Sequence, residues 1–202
     1  MNEHTELLVA TNNAGKVREL SHLLSGFPLR LRLLSDFPAV AEAEETGETF
    51  AENATIKALY YSTHARLLTL SDDSGLAVDA LGGAPGVYSA RYAGRDATYA
   101  ERMSKLLGEL DATADEERRA RFVCVIAVAD PSAGTLQTFE GECRGHIARA
   151  PRGTGGFGYD PVFVPDGHTQ TFGELPAEVK HTLSHRARAL QQAVRHLREH
   201  YT

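Results

Sequence analysis

Two patterns of hydrophobic residues alternate along this chain. Short continuous apolar runs predict strands, and apolar residues three or four positions apart predict helices. Strands are predicted at Leu7–Ala10, Leu29–Leu34, Leu67–Leu70, Arg121–Ala129, Thr135–Ile147 and Val162–Val164. The stretch Leu76–Leu81 fits either a strand or a short turn.

Helical spacing is found in four stretches. Two of them begin with a capping box, in which a threonine and a glutamate three residues later satisfy free backbone amides. These pairs are Thr49 with Glu52 and Thr98 with Glu101. The other two helices have their apolar positions at Leu20, Leu23 and Leu24 and, after a start near Ser184, at Ala187, Leu190, Val194 and Leu197.

The order of these elements predicts an α/β fold. Turn residues Pro131–Gly134 join two predicted strands as an antiparallel hairpin, so the sheet is expected to be mixed. We find no internal repeat or flexible linker, and 202 residues suit one domain over 1–202. Hydrophobic residues make up 42% of the chain, an ordinary globular composition.

Charge narrows the classes of partner. A formal net charge of −6 argues against a general binder of nucleic acid or membranes, and an anionic substrate would need a locally positive pocket. No apolar stretch approaches membrane length, and Met1–His4 lack the basic region of a signal peptide. Cys124 and Cys143 lack metal-type spacing and suit buried thiols. We therefore expect a cytoplasmic protein.

The adjacent carboxylates Asp72 and Asp73 follow an apolar run and precede Gly75. This pattern places them at the C-terminal end of a strand, where ligands bind in open α/β sheets. Two neighbouring negative charges suit a divalent cation such as Mg²⁺. An ordinary turn explains the same residues, because aspartate and serine beside glycine are common in turns.

Three further segments have two interpretations each. The loop Thr11-Asn12-Asn13-Ala14-Gly15-Lys16 precedes a helix and suits a phosphate, or it is a strand-to-helix connection with an asparagine cap. Glu44-Glu45, with Lys57 on the following helix, suits a metal site or a favourable helix-dipole interaction. Gly153–Pro161, with Phe157 and Tyr159, suits a loop that stacks on a planar base or a mobile hairpin.

The segment from Lys180 to Arg186 places two cationic side chains at a helix start. Ser184 is a natural N-cap, and His185 and Arg186 then lie in the first turn, where the helix dipole disfavours positive charge. Such a placement indicates a functional role, and two solvated side chains are the alternative.

Taken in order, these segments resemble the inosine/xanthosine triphosphate pyrophosphatases, which remove non-canonical purine nucleotides. The resemblance rests on six motifs that span nearly the whole chain: Thr11–Lys16, Glu44–Ala54, Asp72–Leu76, Gly82–Tyr92, Gly153–Pro161 and Ser184–Arg186. It implies an elongated mixed sheet flanked by helices, in two lobes with a central nucleotide cleft, and a homodimer. It also implies Mg²⁺-dependent cleavage of a nucleoside triphosphate between its α- and β-phosphates.

The resemblance also implies roles for individual residues. Asp73 would be the general base and would hold Mg²⁺ together with Glu45 and Asp72. Phosphates would be bound by Thr11, Asn12, Asn13, Ala14, Gly15, Lys16 and Lys57, and Ser74 would also bind the substrate. The base would be bound by Phe157, Gly158, Tyr159, Asp160, Lys180, His185 and Arg186. Lys180 and Arg186 donate hydrogen bonds only, so they favour a 6-oxygen over the amino group of adenine.

Two other functions stay open at this point. A related pyrophosphatase of the Maf type prefers pyrimidine or modified nucleotides, and the segments at Phe157–Asp160 and Ser184–Arg186 argue against it. A non-catalytic nucleotide-binding protein would have little use for Glu45, Asp72 and Asp73 beside a polyanion.

Overall fold

A computed structural model describes residues 5–201, so the Met1–His4 segment considered above lies outside the described residues. In this part of the chain the strands are β1 (Glu6–Val9), β2 (Arg30–Leu33), β3 (Leu68–Val78), β4 (Arg119–Asp130), β5 (Thr135–Ile147) and β6 (Phe163–Pro165). The α-helices are α1 (Ala14–Leu23), α2 (Phe50–Ala65), α3 (Tyr99–Glu109), α4 (Ala177–Leu183) and α5 (His185–Tyr201).

The strands form one mixed sheet in the order β2-β1-β3-β4-β5-β6. β1 is parallel to β2 and to β3, with Leu7 opposite Leu31 and Leu68. β6 is antiparallel to β5, with Gly145 opposite Pro165. The predicted α/β fold with a mixed sheet is therefore confirmed.

The chain forms two compact units. The first contains the residues up to Asp73, Cys124–Gly141 and the residues from Arg186 onward. The second contains Ser74–Val123 and Glu142–His185. The single domain expected over 1–202 stays a prediction.

Strand alternation builds the core of the first unit. Leu7 and Val9 pack on one face of the sheet with side chains of α1 and α5, including Leu20 and Leu190. Leu8 faces the other way and packs with Tyr61 of α2. Because successive side chains point to opposite faces of a strand, both faces of this part of the sheet are covered.

The core of the second unit is more aromatic. Leu106 of α3 and Leu110, which follows the helix, belong to a buried cluster with Phe122, Phe163 and Phe172. The rings of Phe163 and Phe172 are stacked, with centroids 5.5 Å apart. This cluster supports the loop and the short helix α4 that precede residue 185.

The main correction to the predicted elements concerns β3. It was expected to end at Leu70, but it continues through Asp72 and Asp73 as far as Val78, and a single 3₁₀ turn follows at Asp79–Leu81. The Asp pair therefore lies inside a strand and not in a turn. It is β1 that ends here, at Val9, so the carboxylates do follow the end of the parallel strand pair.

Local signals at the helix starts are confirmed. Thr49 and Glu52 form the predicted capping box of α2, and Thr98 and Glu101 form that of α3. In residues 5–201 we find no helix that is long and apolar enough to cross a membrane.

Candidate functional site

Asp72 and Asp73 are neighbours on β3, but their side chains face different helices. Asp72 shares its face with Leu70 and meets side chains of α1 and α5. Asp73 shares its face with Ser71, whose hydroxyl donates to the Ala54 carbonyl of α2 at 2.6 Å. The alternation of the strand therefore divides the pair between two clusters.

The first cluster surrounds Asp72, which is fully buried. Its Oδ2 lies 3.1 Å from Lys16 Nζ and 3.1 Å from Arg186 Nε. Arg186 also donates to the carboxylate of Glu19 on α1. Burial tends to raise the pKa of Asp72, but the charges of Lys16 and Arg186 outweigh it and hold that pKa well below its usual range.

This cluster gives Arg186 a structural partner that sequence reasoning missed. Its side chain is 1% exposed and lies between Asp72 and Glu19. Base recognition by Arg186 stays a prediction, and its placement here joins α5 to β3 and α1. Glu19 could have been noticed because it is three residues from Lys16, on the same side of α1.

The second cluster contains Glu45, Lys57 and Asp73. Lys57 Nζ lies 2.7 Å from Glu45 Oε1 and 3.6 Å from Asp73 Oδ1. Asp73 Oδ2 is buried and has no hydrogen-bond partner among the described residues. Burial raises the pKa of Asp73, with Glu45 and Asp72 adding to the effect and Lys57 and Lys16 opposing it.

Lys57 keeps its charge in this cluster. Burial alone would lower its pKa, but the carboxylates of Asp73, Asp72 and Glu45 together outweigh burial and raise it.

The three predicted cation ligands do not come together as one set. In the part of the chain that the structure describes, no group of three or more His, Cys, Asp or Glu side chains is placed to hold a metal ion. Glu45 and Asp73 share Lys57, whereas Asp72 faces Lys16 and Arg186.

The loop before α1 has the asparagine cap that was one of its two interpretations. Asn13 Oδ1 accepts hydrogen bonds from the amides of Gly15 at 2.9 Å and Lys16 at 3.1 Å. The Asn13 amide in turn donates to Thr11 Oγ1 at 3.2 Å. The cap fixes the start of α1 and so places Lys16 beside Asp72. Phosphate binding by Thr11, Asn12, Asn13, Ala14, Gly15 and Lys16 stays a prediction.

In the second unit, the glycine-rich loop and α4 bring Phe157, Asp160 and Lys180 together. Asp160 Oδ2 accepts from the Phe157 amide at 2.7 Å and from Lys180 Nζ at 2.5 Å. The Lys180 ammonium also lies 4.6 Å from the centroid of the Phe157 ring. Asp160 and Lys180 are both buried.

The structure also describes the surroundings of the remaining predicted residues of the second unit. Tyr159 is buried and its hydroxyl donates to the Ser89 carbonyl at 3.0 Å. His185 is stacked on Phe122, with ring centroids 4.7 Å apart. Gly158 follows Phe157 with φ +69°, and Ser74 is a half-buried residue of β3.

A cavity of about 620 Å³ in the second unit contains none of the predicted site residues. Its lining includes three arginines, each paired with a carboxylate: Arg119 with Asp166, Arg149 with Asp115 and Arg152 with Glu174. These three arginines are exposed, whereas the cations that face Asp72 and Asp73 are largely shielded from water, so we assign the chemistry to the clusters on β3.

Fold and site together define an α/β protein in which buried cations face carboxylates along one strand of a mixed sheet. The chain belongs to the Ham1 family, whose sequence profile matches residues 7–196.

Individual relatives are similar over almost the whole chain. A dITP/XTP pyrophosphatase of Geobacter sulfurreducens is 51% identical over 193 residues, which cover 96% of each chain. One of Geobacillus kaustophilus is 51% identical and covers 92% of this chain and 90% of its own.

Solved structures agree with this family. A HAM1 protein from Coxiella burnetii has a TM-score of 0.88 at 43% identity, covering 96% of this chain and 99% of its own. A dITP/XTP pyrophosphatase from Mycobacterium abscessus has a TM-score of 0.76 at 46% identity, covering 94% and 98%.

Proposed function

We propose that this protein is a Mg²⁺-dependent pyrophosphatase of non-canonical purine nucleotides. It hydrolyses inosine, deoxyinosine and xanthosine triphosphates to the monophosphate and pyrophosphate, and so keeps them out of DNA and RNA. The observation that carries this proposal is the Glu45–Lys57–Asp73 cluster, in a chain whose relatives are named dITP/XTP pyrophosphatases.

Two residues of this cluster fit a magnesium ion. Glu45 and Asp73 offer carboxylate oxygens, and the buried Asp73 Oδ2 lacks a partner among the described residues. Mg²⁺ is commonly held by one or two carboxylates, with water and substrate phosphates completing its shell. When bound, the ion would offset charge on the triphosphate. Asp72 contributes by anchoring Lys16 and Arg186, whose charges occupy its Oδ2.

Asp73 acts as the general base that takes a proton from the attacking water. A general base works best when its pKa approaches the working pH. Burial moves the pKa of Asp73 in that direction, and the unpartnered Oδ2 is the atom available to accept the proton.

Lys16 and Lys57 bind the phosphates, together with Ser74 and the Thr11–Lys16 loop. Both lysines are largely buried, and each already faces a carboxylate at 3.1 Å or less. A buried ammonium interacts strongly with a polyanion because little water screens it. These lysines are therefore the cations that can meet the phosphates in a protein of net charge −6.

Recognition of the base is assigned to Phe157, Lys180, His185 and Arg186. Phe157 stacks on the purine, and Lys180, His185 and Arg186 favour a 6-oxygen, because Lys and Arg cannot accept a hydrogen bond from the amino group of adenine. Asp160 fixes Lys180 and the Phe157 amide through one oxygen. Gly158 and Tyr159 complete this segment. The enzyme is expected to work as a cytoplasmic homodimer.

The test is pyrophosphate release from inosine, xanthosine, guanosine, adenosine and cytidine triphosphates, with and without Mg²⁺. We expect Mg²⁺-dependent release from the inosine and xanthosine substrates. Asp73→Asn should lower kcat by about 10²–10⁴-fold, because a general base contributes that much. Asp166→Asn, in an exposed ion pair with Arg119, is the matched control and should be unchanged.

Other outcomes separate the remaining functions. Release mainly from cytidine triphosphate would favour a Maf-type enzyme. Tight binding of nucleotides without any release would indicate a non-catalytic binding protein. An unchanged kcat in Asp73→Asn would contradict the role of Asp73 as general base.

A further inference from the structure

Lys57 is the cation of the cluster that it forms with Glu45 and Asp73. Its ammonium lies between Glu45 and Asp73, which are the two carboxylates best suited to a divalent cation. The side chain of Lys57 is 10% exposed and that of Asp73 is 11% exposed, so water screens their interaction only weakly.

A cation that used both carboxylates would meet this ammonium at close range. The two positive charges would repel each other, and Lys57 would lose its 2.7 Å contact with Glu45. A buried ammonium that loses its partner needs another one, because an unpaired buried charge is costly. The ion pairs of Lys57 among the described residues are with these same two carboxylates, whereas a triphosphate would offer it several anionic oxygens.

We propose that Lys57 holds the place of the divalent cation in the nucleotide-free protein, so that the cation binds tightly only together with a polyanionic ligand. The inference rests on the proposed function, because it takes Glu45 and Asp73 as the cation ligands. It adds an order of events: the triphosphate draws Lys57 away from Glu45, and both carboxylates then become available.

Lys16 gives an internal comparison. It also faces a buried aspartate, at 3.1 Å, but that aspartate is Asp72, on the opposite face of β3. Asp72 Oδ2 keeps Arg186 as a second partner. Only Lys57 stands between two carboxylates that would serve one ion, so the competition is assigned to Lys57.

The experiment measures Mn²⁺ binding to the nucleotide-free protein by electron paramagnetic resonance, in wild type, Lys57→Met and Lys57→Arg. Methionine keeps the length of the stem without its charge. We expect Lys57→Met to bind Mn²⁺ about tenfold more tightly than wild type, within the usual range of coupling between two ligands. Lys57→Arg keeps the charge and should bind Mn²⁺ as weakly as wild type.

Two controls locate the effect. Lys105→Met removes a lysine that is 43% exposed beside Glu109 and should leave Mn²⁺ binding unchanged. Adding Glu45→Gln to Lys57→Met should abolish the gain. Circular dichroism checks that each variant is folded, and Lys57→Gln replaces Lys57→Met if the latter does not fold.

Equal or weaker Mn²⁺ binding in Lys57→Met would overturn the inference, and so would a gain that persists with Glu45→Gln. Neither result depends on turnover, since no nucleotide is present. A failed nucleotide panel together with tighter Mn²⁺ binding would contradict the proposed reaction and leave the competition intact.

Discussion

At the scale of single residues, environment decides what two identical side chains do. Asp72 and Asp73 differ by one position on β3, yet the pKa of Asp72 is lowered and that of Asp73 is raised. Asp72 has two cations on one oxygen, while Asp73 shares its lysine with Glu45. The first is thereby suited to anchoring and the second to accepting a proton.

Asp72→Asn tests the anchoring role. The substitution removes the charge that two buried cations share, and breaking a buried ion pair from one side costs about 3–5 kcal/mol. We expect a loss of that size in the free energy of unfolding, measured with urea at pH 7. Asp166→Asn should cost at most about 1 kcal/mol, because its ion pair is exposed.

The pH dependence of this difference has a defined sign. The pKa of Asp72 is lower in the folded protein than its ordinary value of 3.8, so its stabilisation is fully present above 3.8. It is lost as the pH falls below that value toward the folded pKa. The stability gap between wild type and Asp72→Asn should therefore narrow below about pH 4, and a gap that is constant down to pH 2 would contradict this assignment.

At the scale of elements, the sequence predicted the helix and strand limits that depend on neighbouring residues. The capping boxes placed the starts of α2 and α3, and the turn residues Pro131–Gly134 placed the hairpin that leads into β5 at Thr135. The continuation of β3 past Leu70 was missed because charged residues before a glycine are typical of turns. Only distant partners, Lys16 and Arg186, make a buried Asp72 tolerable inside a strand.

The candidate site shows the same difference between features set by neighbouring residues and features set by residues distant in sequence. Spacing left two interpretations each for Asp73 and for Glu45 with Lys57, and the resemblance favoured the functional ones; the three residues do lie together. The contact of Arg186 with Glu19 joins residues far apart in sequence, so the spacing of Glu19 to Lys16 on α1 could draw attention to Glu19 but not to its partner Arg186. Helix α4 was also missed, because seven residues after Pro176 are too few to show a helical period.

The glycine-rich loop supports a prediction about a whole segment. Gly156 has φ +69°, and a β-carbon there would overlap the Asp160 carboxylate that holds Lys180. Gly134 has a similar φ of +64° with open space around it. Alanine at either position has the same backbone strain, of about 1–2 kcal/mol, so their difference isolates the displacement of Asp160.

We expect Gly156→Ala to raise KM for inosine triphosphate several-fold, with a smaller effect on kcat, because Lys180 and Phe157 lose their fixed positions. Gly134→Ala should lose only the stability that the backbone strain costs and keep the wild-type KM. Steady-state kinetics of both variants give the comparison. Equal KM values in the two variants would show that Asp160 does not position this segment for binding.

At the scale of the whole molecule, a net charge of −6 contrasts with the cations gathered on β3. Lys57 and Arg186 are buried and the Lys16 side chain is 13% exposed. These three cations face four carboxylates, those of Glu19, Glu45, Asp72 and Asp73, so a divalent cation is needed before the region can hold a polyanion. We therefore expect the folded protein to be stabilised most by a ligand that brings negative charge and a divalent cation together.

Thermal unfolding of the whole chain measures this linkage. A ligand that binds only the folded state at 100 times its Kd adds about 2.7 kcal/mol of stability, which corresponds to roughly 5–10 °C in Tm for a chain of this size. We expect Mg²⁺ with an inosine triphosphate analogue, carrying a methylene group between the α- and β-phosphorus atoms, to produce such a shift. Mg²⁺ alone should leave the wild-type Tm almost unchanged.

Lys57→Met should reverse this pattern. The variant lacks the ammonium that Glu45 and Asp73 share. When a chelator removes divalent cations, the folded variant should therefore be less stable than the folded wild type. Mg²⁺ alone should then raise its Tm, because the ion supplies the missing positive charge. If Mg²⁺ alone stabilises the wild type as much as the variant, the ammonium does not oppose the ion, and the two cations do not compete for these carboxylates.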